Sequence, residues 1–546
     1  MDKEKRPETG GERLSAKPVG GQPCNPQPPG PEPRIGDPAA GDSLGRHPTG
    51  TEPGIVEPLI FELHCEGHNS FSPPLLDVPD VPVADLIPAH LLRTKASELP
   101  EVSEPEVVRH FTRLSSLNYH VDKGMYPLGS CTMKYNPKVN EEVAALPGFR
   151  DLHPLCPPDA AQGALRLMYL LADALCRITG MSEFCLHPAA GAHGELTGMM
   201  VVAAYHRDKG NQKDTVLIPD SAHGTNPASV NLAGYKVVEV KSGANGCLNA
   251  ASLKEALGDN VAALMLTNPN TLGLFEEDVL RLAEIIHSVD GLMYLDGANM
   301  NALLGIAKPA DMGFDVMHLN LHKTFSTPHG GGGPGSGPLG VAEKLRAFLP
   351  VPRIRREEGR TSKQTPKQKE KERFALDFNA PKSIGMIHSF YGNFAVMVKA
   401  YAYILSLGGE GLESVARESI LNANYLKALL APYFDVPYDK PCMHEFVLSG
   451  KRQKALGVRT LDIAKRLLDL GFHAPTVYFP LIVEEALMIE PTETETKREL
   501  DRFACAMKAI VEEVERTPDI VKQAPLTTPV GRLDEGKAAR DLRLKW

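Results

Sequence analysis

A chain of 546 residues is longer than a single hydrophobic core usually supports, so we expect two or more domains. Its composition, 42% apolar and 23% charged, is that of a soluble globular protein and argues against a fibrous or largely disordered chain. The formal net charge of −9 gives no basic footprint of the kind that nucleic acid or an anionic membrane selects, and we predict neither as a partner.

The cysteines and the apolar runs bear on the cellular location. The nine cysteines are scattered, are odd in number and form no Cys-x-x-Cys pair, which suits a reducing compartment and gives no zinc signature. No signal-peptide core follows the charged start of the sequence, and no apolar stretch reaches the roughly 18 residues of a membrane span. We therefore predict a cytoplasmic protein without a metal site.

The chain opens with a Pro- and Gly-rich stretch, residues 1–57, that is poor in aromatic residues and almost without apolar runs. Such a composition cannot bury enough surface to offset the entropy of ordering, so it predicts a disordered extension. A Pro-rich tail can bind a partner domain, but a solvated tail with no specific ligand is the preferred interpretation. Residues 58–152 follow as an N-terminal segment.

Residues 153–385 alternate apolar, strand-like runs with segments of helical periodicity, which predicts a large α/β domain around a mainly parallel sheet. Ligands of open α/β sheets bind beyond the carboxyl ends of the strands, so functional loops should follow these runs. A charged stretch at 355–373 has no apolar run and is interpreted as an exposed loop insertion. The predicted strands are 215–219, 237–240, 262–267 and 292–295, and the predicted helices are 251–257 and 277–288.

After residue 385 the pattern changes to helices with a few short strands, which predicts a smaller C-terminal α+β domain over residues 386–546. The predicted helices are 394–407, 412–430, 461–470 and 497–516, and the predicted strands lie near 445–448 and 476–478.

Two segments of the large domain offer binding groups. Small residues at 189–195 open an apolar helix, where the free N–H groups of Gly191, Ala192 and His193 can receive a phosphate, although small residues before a helix are common. Residues 221–229 directly follow a predicted strand and include His223. A histidine in such a loop is by default a hydrogen-bond partner of the backbone, but it can also lie flat on a cofactor ring.

The strongest local signal is the pair His322–Lys323, which follows an apolar–polar alternation at 316–319 and precedes the glycine run 330–333. A lysine forms a Schiff base with an aldehyde cofactor only if its amine reaches the cofactor and is unprotonated part of the time. Most lysines are solvated surface charges. The position of Lys323 beside a loop at a strand end favours the cofactor interpretation.

Asp296 ends the apolar run 292–295. An aspartate at a strand end is often only a helix N-cap. Beside pyridoxal phosphate it has a further use, because a carboxylate about 4 Å from the pyridinium nitrogen contributes about 4 kcal/mol at an effective dielectric of 20. This equals about three pKa units and keeps the ring protonated as an electron sink.

Together with 126–137 and 488–495, these segments resemble the lysine-bearing P-protein family of the glycine cleavage system, and the resemblance runs from about residue 59 to the C-terminus. It implies the aminotransferase-like α/β fold of pyridoxal-phosphate enzymes (fold type I). It also implies that Lys323 binds pyridoxal 5′-phosphate covalently, that Asp296 pairs with the ring nitrogen and that His223 stacks on the ring. Thr267 is matched to a contact with the phenolic oxygen.

The same resemblance implies an oxidoreductase reaction in which glycine is decarboxylated and its aminomethyl group passes to the lipoyl arm of H-protein. Single-chain members of the family carry two related halves, and this chain matches only the lysine-bearing half. The implied partner is therefore a homologous, lysine-less subunit, with two copies of each in the assembly. No Gly-x-Gly-x-x-Gly fingerprint follows a predicted strand, so we expect no NAD site.

Alternatives stay open at this stage. The same scaffold can carry another reaction, such as that of an aminotransferase or a cysteine desulfurase, because a fold does not fix a function. The chain could also be a non-catalytic scaffold subunit, although an intact Lys323 and Asp296 argue against that. Cys131 is either reactive or merely buried, and burial is preferred because free cysteine is among the most buried residue types.

Overall fold

The computed structural model describes residues 57–68, 72, 74–95, 97–153, 155–357 and 372–542. The predicted extension therefore lies outside the described residues, apart from Glu57, and so does most of the charged stretch 355–373. Within the described part of the chain, no helix is long and apolar enough to cross a lipid bilayer.

The described strands are two to seven residues long, and those at the centre of the largest sheet are apolar. In chain order they are β1 (Glu183–Cys185), β2 (Thr215–Pro219), β3 (Lys236–Val240), β4 (Val261–Thr267), β5 (Leu292–Gly297), β6 (Val316–Leu319), β7 (Leu339–Val341), β8 (Arg353–Glu357), β9 (Arg373–Asp377), β10 (Phe446–Ser449), β11 (Thr476–Val477) and β12 (Ala486–Ile489).

The α-helices surround these strands and occupy both ends of the described chain. They are α1 (Val83–Leu86), α2 (Glu104–Leu117), α3 (Lys138–Ala144), α4 (Pro147–Arg150), α5 (Gln162–Thr179), α6 (Gly191–Lys209), α7 (Thr225–Leu232), α8 (Ala250–Ala256), α9 (Val279–His287), α10 (Phe394–Leu430), α11 (Lys451–Ala455), α12 (Thr460–Asp469), α13 (Lys497–Arg516), α14 (Pro518–Gln523) and α15 (Glu535–Arg540). Short 3₁₀ helices lie at Ile60–Leu63, Ala89–Leu91, Pro158–Ala160, Pro309–Met312 and Glu343–Phe348.

Seven strands form one mixed sheet in the order β1-β7-β6-β5-β4-β2-β3. The pairs β2–β3, β2–β4, β4–β5 and β5–β6 are parallel, and β7 runs antiparallel to both β6 and β1. Alternate side chains of β5 enter different cores, because successive residues of a strand point to opposite faces. Met293 and Leu295 pack into one cluster, whereas Leu292 and Tyr294 pack into the other. The sheet is thus covered on both faces.

The C-terminal part has its own core around the antiparallel sheet β10-β12-β11. Helix α10 joins this core to the first one, because Val396 and Met397 pack into the core of the large sheet whereas Leu426 and Leu430 pack into the C-terminal one. Gly408 interrupts α10 with φ 60° and ψ −171°, a backbone conformation open to glycine. The described residues belong to one compact unit, so the domain boundaries at 153 and 386 stay predictions.

Most predicted elements are confirmed. Strands β2 to β5 match the predicted runs within two residues, α13 matches its prediction at both ends, and the two predicted helices 394–407 and 412–430 form the halves of α10. The interpretation of 355–373 as a loop was wrong at its edges. Its first and last residues belong to β8 and β9, which pair because Ile354, Phe374 and Leu376 pack against the core of the large sheet.

Candidate active site

Three neighbouring parallel strands bring predicted site residues onto one edge of the seven-stranded sheet. Thr267 ends β4 and lies in register with Asp296 on β5, which in turn lies in register with His318 on β6. Lys323 follows β6 in a turn. This edge holds the carboxyl ends of the parallel strands, where ligands of open α/β sheets bind. The residues at this edge therefore form the candidate active site.

Asp296 is a buried, hydrogen-bonded carboxylate. Asn226 Nδ2 donates to its Oδ2 at 2.9 Å, the Ala298 N–H donates to Oδ1 at 3.1 Å, and His318 Nε2 lies 3.3 Å from Oδ1. Burial by itself raises the pKa of Asp296, but His318, the Asn226 bond and Lys323 outweigh it and hold the pKa below its usual value. The helix N-cap interpretation was wrong, because β5 continues into turns rather than into a helix.

Lys323 is half-buried and its amine is held by a distant loop, because Nζ donates to the Ser130 carbonyl at 2.8 Å. The turn that carries the lysine is fixed by the next residue, Thr324, whose Oγ1 accepts the Met300 N–H at 2.7 Å. Ser326 follows with φ 57°, a conformation that non-glycine residues rarely adopt and that clusters at functional sites. The lysine is thus aimed across the site instead of into solvent.

His322 contacts the loop that follows it. Its Nδ1 accepts the Ser336 N–H at 3.3 Å, and its ring packs edge-on against His329 with the ring centres 5.2 Å apart. Burial, then the neighbouring His329 and Lys323, lower the pKa of His322 to about 3. The ring is therefore neutral.

The predicted helix opening is confirmed, because α6 begins at Gly191 and no side chain caps it. A Cβ at position 191 would collide with Asn320 Oδ1, so glycine is what allows this helix end to approach the turn after β6. The His193 ring turns back, and its Nδ1 accepts the Ala189 N–H at 3.2 Å. The N–H groups of Gly191 and Ala192 lie in an uncapped first turn, which is a favourable place for an anion.

His223 lies on an exposed loop directly before α7. Its Nδ1 is 3.0 Å from Thr225 Oγ1, and its ring packs edge-on against Phe479 at 5.5 Å. The helix behind it is tied to α6, because Thr225 Oγ1 and Ser229 Oγ donate to the two carboxylate oxygens of Glu195 at 2.9 and 3.0 Å. We did not predict this role of Glu195, which fixes the loop beside Asp296.

The side-chain oxygens Thr267 Oγ1, Asn320 Oδ1 and Ser336 Oγ are buried and have no hydrogen-bond partner within the described protein. Buried polar groups are normally hydrogen-bonded. All three belong to segments around the same sheet edge as Asp296 and Lys323. Unpaired hydroxyls, a carboxylate, a lysine and an uncapped helix end together fit a polar cofactor with a ring nitrogen, a phenolic oxygen and a phosphate.

The opposite wall of the site was not predicted. It is the loop 129–134, in which Ser130 and Thr132 have φ values of 61° and 49°. The Ser130 N–H donates to Glu445 Oε2 at 2.7 Å, and the Thr132 N–H and hydroxyl donate to Glu490 at 3.0 and 2.7 Å. Asn299 Nδ2 adds a bond to Glu490 at 2.8 Å. The signal available in the sequence was a carboxylate beside an apolar strand. Glu445 directly precedes β10, and Glu490 directly follows β12.

Lys134, in the same loop, is fully buried and ion-paired. Its Nζ donates to Glu493 Oε1 at 2.7 Å and to Asn301 Oδ1 and the Tyr403 hydroxyl at 3.2 Å each. Burial lowers the pKa of Lys134, but Glu493 and Tyr403 outweigh it and raise the pKa above its usual value. The ammonium group therefore anchors the loop to the C-terminal part of the chain.

Cys131 sits between these anchors and is half-buried. Burial is the largest cause that raises the pKa of its thiol, and nearby Lys323 opposes the shift. The preferred interpretation was a buried cysteine, and the structure shows a half-buried one. The raised pKa disfavours the thiolate, which is the form that makes a cysteine reactive.

The mixed sheet, with a lysine and a carboxylate at its strand ends, defines an aminotransferase-like enzyme of fold type I. The family model for aminotransferase class-V matches residues 194–332, and the model for the glycine dehydrogenase C-terminal domain matches residues 415–526.

Curated relatives give a narrower assignment. The chain is 58% identical over 489 residues to the probable glycine dehydrogenase (decarboxylating) subunit 2 of Caldanaerobacter subterraneus subsp. tengcongensis, covering 89% of this chain and 98% of the relative. It is 59% identical over 487 residues to the protein of the same name from Chlorobium phaeobacteroides, again covering 89% and 98%. The chain belongs to the glycine dehydrogenase (decarboxylating) subunit 2 family.

Solved structures support the fold. A crystal structure of glycine decarboxylase (P-protein) of the glycine cleavage system, in inhibitor-bound form, matches with a TM-score of 0.66 at 22% identity, covering 78% of this chain and 94% of that one. The cysteine desulfurase CsdA from Escherichia coli matches with a TM-score of 0.53 at 16% identity, covering 72% and 95%. At these identities the likeness concerns the architecture alone.

Proposed function

We propose that this chain decarboxylates glycine with pyridoxal 5′-phosphate and passes the aminomethyl group to the lipoyl arm of H-protein. The observation that carries the proposal is Lys323, held at the strand ends beside the ionised Asp296 in a member of this family. No dinucleotide site enters the proposal, because the electrons released from glycine reduce the lipoyl disulfide.

Each side chain around the sheet edge has an assigned part in holding the cofactor. Lys323 would bind it covalently, Asp296 would face the ring nitrogen, Thr267 would bind the phenolic oxygen and His223 would cover the ring. The phosphate and its surroundings would be held by Gly191, Ala192, His193 and His322. When bound, the cofactor supplies an electron sink for the carbanion that forms as CO₂ leaves.

The protein's own contribution is a fixed electrostatic environment. Asp296 would stabilise a proton on the ring nitrogen of the bound cofactor, because the carboxylate is ionised, buried and fixed by Asn226 and Ala298. The Ser130 carbonyl accepts a hydrogen bond from Lys323 Nζ and thereby fixes the position of the amine before it reacts. Such preorganised groups stabilise charge without having to reorient during the reaction.

An exposed apolar arm supports pairing with a second subunit. Residues 74–95 and 97–99 are almost all exposed, and Leu75, Leu86 and Leu91 have 97%, 68% and 66% of their surface accessible. Large exposed apolar surfaces mark interaction sites. We assign this arm to the interface with a homologous, lysine-less subunit, in an assembly with two copies of each chain.

A cytoplasmic location completes the proposal. It is supported by the eight described cysteines, all of which are free thiols, since a reducing compartment keeps thiols unpaired.

The deciding experiment follows labelled carbon from [1-¹⁴C]glycine into CO₂, with the purified chain saturated with pyridoxal phosphate. The assay is run with and without lipoylated H-protein and the candidate partner subunit. We expect release to require both additions. Full activity of this chain without any second polypeptide would contradict the pairing, and amino transfer to a 2-oxo acid in place of CO₂ release would contradict the function.

A further inference from the structure

Two buried glutamates face each other behind Lys323. Glu445 directly precedes β10 and Glu490 directly follows β12, and the register of this antiparallel pair matches Phe446 with Ile489. Continued by one position, that register places the two glutamates opposite each other. The two residues are 3% and 0% exposed. Like charges directly opposite in a sheet destabilise it, and burial increases that cost.

The hydrogen-bond donors around the two carboxyl groups are unequal. Glu490 accepts three bonds, two from Thr132 and one from Asn299, whereas Glu445 accepts one, from the Ser130 N–H. Hydrogen bonds donated to a carboxylate favour its charged form. Burial raises the pKa of Glu490 as well, but the Thr132 and Asn299 bonds oppose that shift, so the charged form is favoured at Glu490 and the proton at Glu445.

The other ionisable groups that face the pair are Lys323, Cys131 and His444. His444 Nε2 lies 3.8 Å from Glu445 Oε1, but burial and then Lys323 lower the pKa of this histidine to about 3. Burial also raises the pKa of the Cys131 thiol, which disfavours its charged form. Burial, followed by the charge of Glu490, raises the pKa of Glu445 well above its usual value. Of these groups, Lys323 lowers the pKa of both glutamates and so favours their charged forms.

We propose that Glu445 and Glu490 share a single proton and act together as a clamp on the loop 130–132, which positions the Lys323 amine. The loop transmits the effect, because the Ser130 N–H bonds to Glu445 while the Ser130 carbonyl accepts from Lys323 Nζ. When hydroxide removes the shared proton at alkaline pH, two opposed anions remain in a buried site and the clamp opens. The proposal rests on the proposed function for the part that concerns Lys323.

The test begins with Glu445→Gln in the full-length chain, assembled with its partner and loaded with pyridoxal phosphate. Glutamine keeps an oxygen for the Ser130 N–H but cannot ionise. The visible absorbance of the bound cofactor and the turnover number are titrated from about pH 6 to pH 10. We expect an alkaline transition in the wild type that moves upward by more than about one pH unit in the variant, a tenfold change in proton concentration.

Glu490→Gln should behave differently from Glu445→Gln. Its amide brings N–H donors toward Thr132 and Asn299, which already donate to this position, so the clamp is lost at every pH. We expect turnover to fall on the order of tenfold or more across the whole range, since buried donors are left unpaired. Glu490→Gln at wild-type activity, or an alkaline transition unmoved in Glu445→Gln, would overturn the proposal.

Glu276→Gln is the matched control. Glu276 is another buried glutamate, whose pKa is raised by burial to about 7, but it bonds to Asn270 and Leu248, away from Lys323. Its replacement should leave the absorbance titration unchanged. A stoichiometric metal ion in the purified protein would also overturn the proposal, because His444, Glu445 and Glu490 have ligand atoms within 4.8 Å of one another and an ion would then replace the proton.

Unfolding measurements separate this proposal from the proposed function. A glutamate with a raised folded-state pKa holds its proton above the ordinary value of 4.5, so the free energy of unfolding falls as pH rises from there to the folded-state pKa. Glu445→Gln should remove the part of this fall that the Glu445 proton causes, whereas Glu276→Gln should remove a separate part that ends near the folded-state pKa of Glu276, about 7. The difference between the two variants does not require bound cofactor. If the two variants show no such difference, the shared proton is refuted and the proposed function is unaffected.

Discussion

The two walls around Lys323 are built in different ways. On the sheet side, Thr267, Asp296 and Lys323 follow neighbouring parallel strands, and each is placed by the strand that precedes it. On the loop side, Ser130 and Thr132 occupy strained conformations and are held by glutamates 315 and 358 positions further along the chain. The wall on the sheet side follows from the local sequence pattern. The wall on the loop side forms only when segments that are distant in the sequence pack together.

This contrast assigns different tasks to the two walls. The sheet side carries the groups proposed to react with or contact the cofactor, and the loop side carries groups that hold the lysine in place. Substitutions on the sheet side should therefore change chemistry while the fold survives. Substitutions on the loop side should change stability and alignment together, because they leave buried charges unpaired.

The largest expected effect comes from Lys323→Ala, which removes the proposed covalent anchor. Cofactor absorbance and glycine decarboxylation should both be lost, while circular dichroism shows an intact fold. Lys382→Ala is the control, since Lys382 is an exposed lysine paired with Asp208. Borohydride reduction and peptide mapping should place the cofactor on Lys323, and its recovery on any other lysine would refute the assignment.

Asp296→Asn should retain some bound cofactor but lose turnover on the order of 10²–10³-fold, because it removes the charge near the ring nitrogen and keeps the side-chain shape. Asp220→Asn is the control. Asp220 also follows a strand directly, but it accepts from Ser242 rather than facing Lys323. Near-wild-type turnover of Asp296→Asn would show that this carboxylate has only a structural role.

Lys134→Met tests the loop side. It leaves Glu493 as an unpaired buried charge, and breaking a buried pair costs about 3–5 kcal/mol. We expect a loss of unfolding free energy of that size in denaturant titrations, and partial recovery in Lys134→Met combined with Glu493→Leu. Lys138→Met, which breaks an exposed pair with Asp122, should leave the midpoint unchanged. An equally stable Lys134→Met protein would show that the ion pair does not anchor the loop.

The smallest effect is expected from deletion of residues 1–55, whose composition supports no core. Cofactor content, activity and unfolding midpoint should match the full chain. The deletion has to stop before Glu57, because this residue bonds to His110 and Arg113. A lower activity or cofactor content in the shortened protein would assign the extension a role.

The sequence allowed β2 to β5 and the residues of the sheet side to be predicted, because a buried parallel strand is a continuous apolar run and its functional loop comes next. It did not predict β1, β7 and β12, which are three or four residues long, or β8 and β9, which lie at the ends of a charged stretch. Helix α5 also escaped prediction, although apolar residues recur along it at helical spacing.

The loop side was missed for a different physical reason. Segments 126–137 and 488–495 stood out by resemblance, but nothing in either segment says that Thr132 bonds to Glu490 or Lys134 to Glu493. Such pairings depend on how two cores pack. A carboxylate beside an apolar strand, as at Glu445, signals a buried charge but not its partner.

The distance along the chain between Lys134 and Glu493 determines when their ion pair can form during translation. The two residues are 359 positions apart in the chain, and translation proceeds at about 5–20 residues per second, so the loop leaves the ribosome roughly 20–70 s before its counterion is made. Lys323 is synthesised within that interval, before the wall that holds its amine can form. The complete site can therefore assemble only after the segment that carries Glu493 has been synthesised.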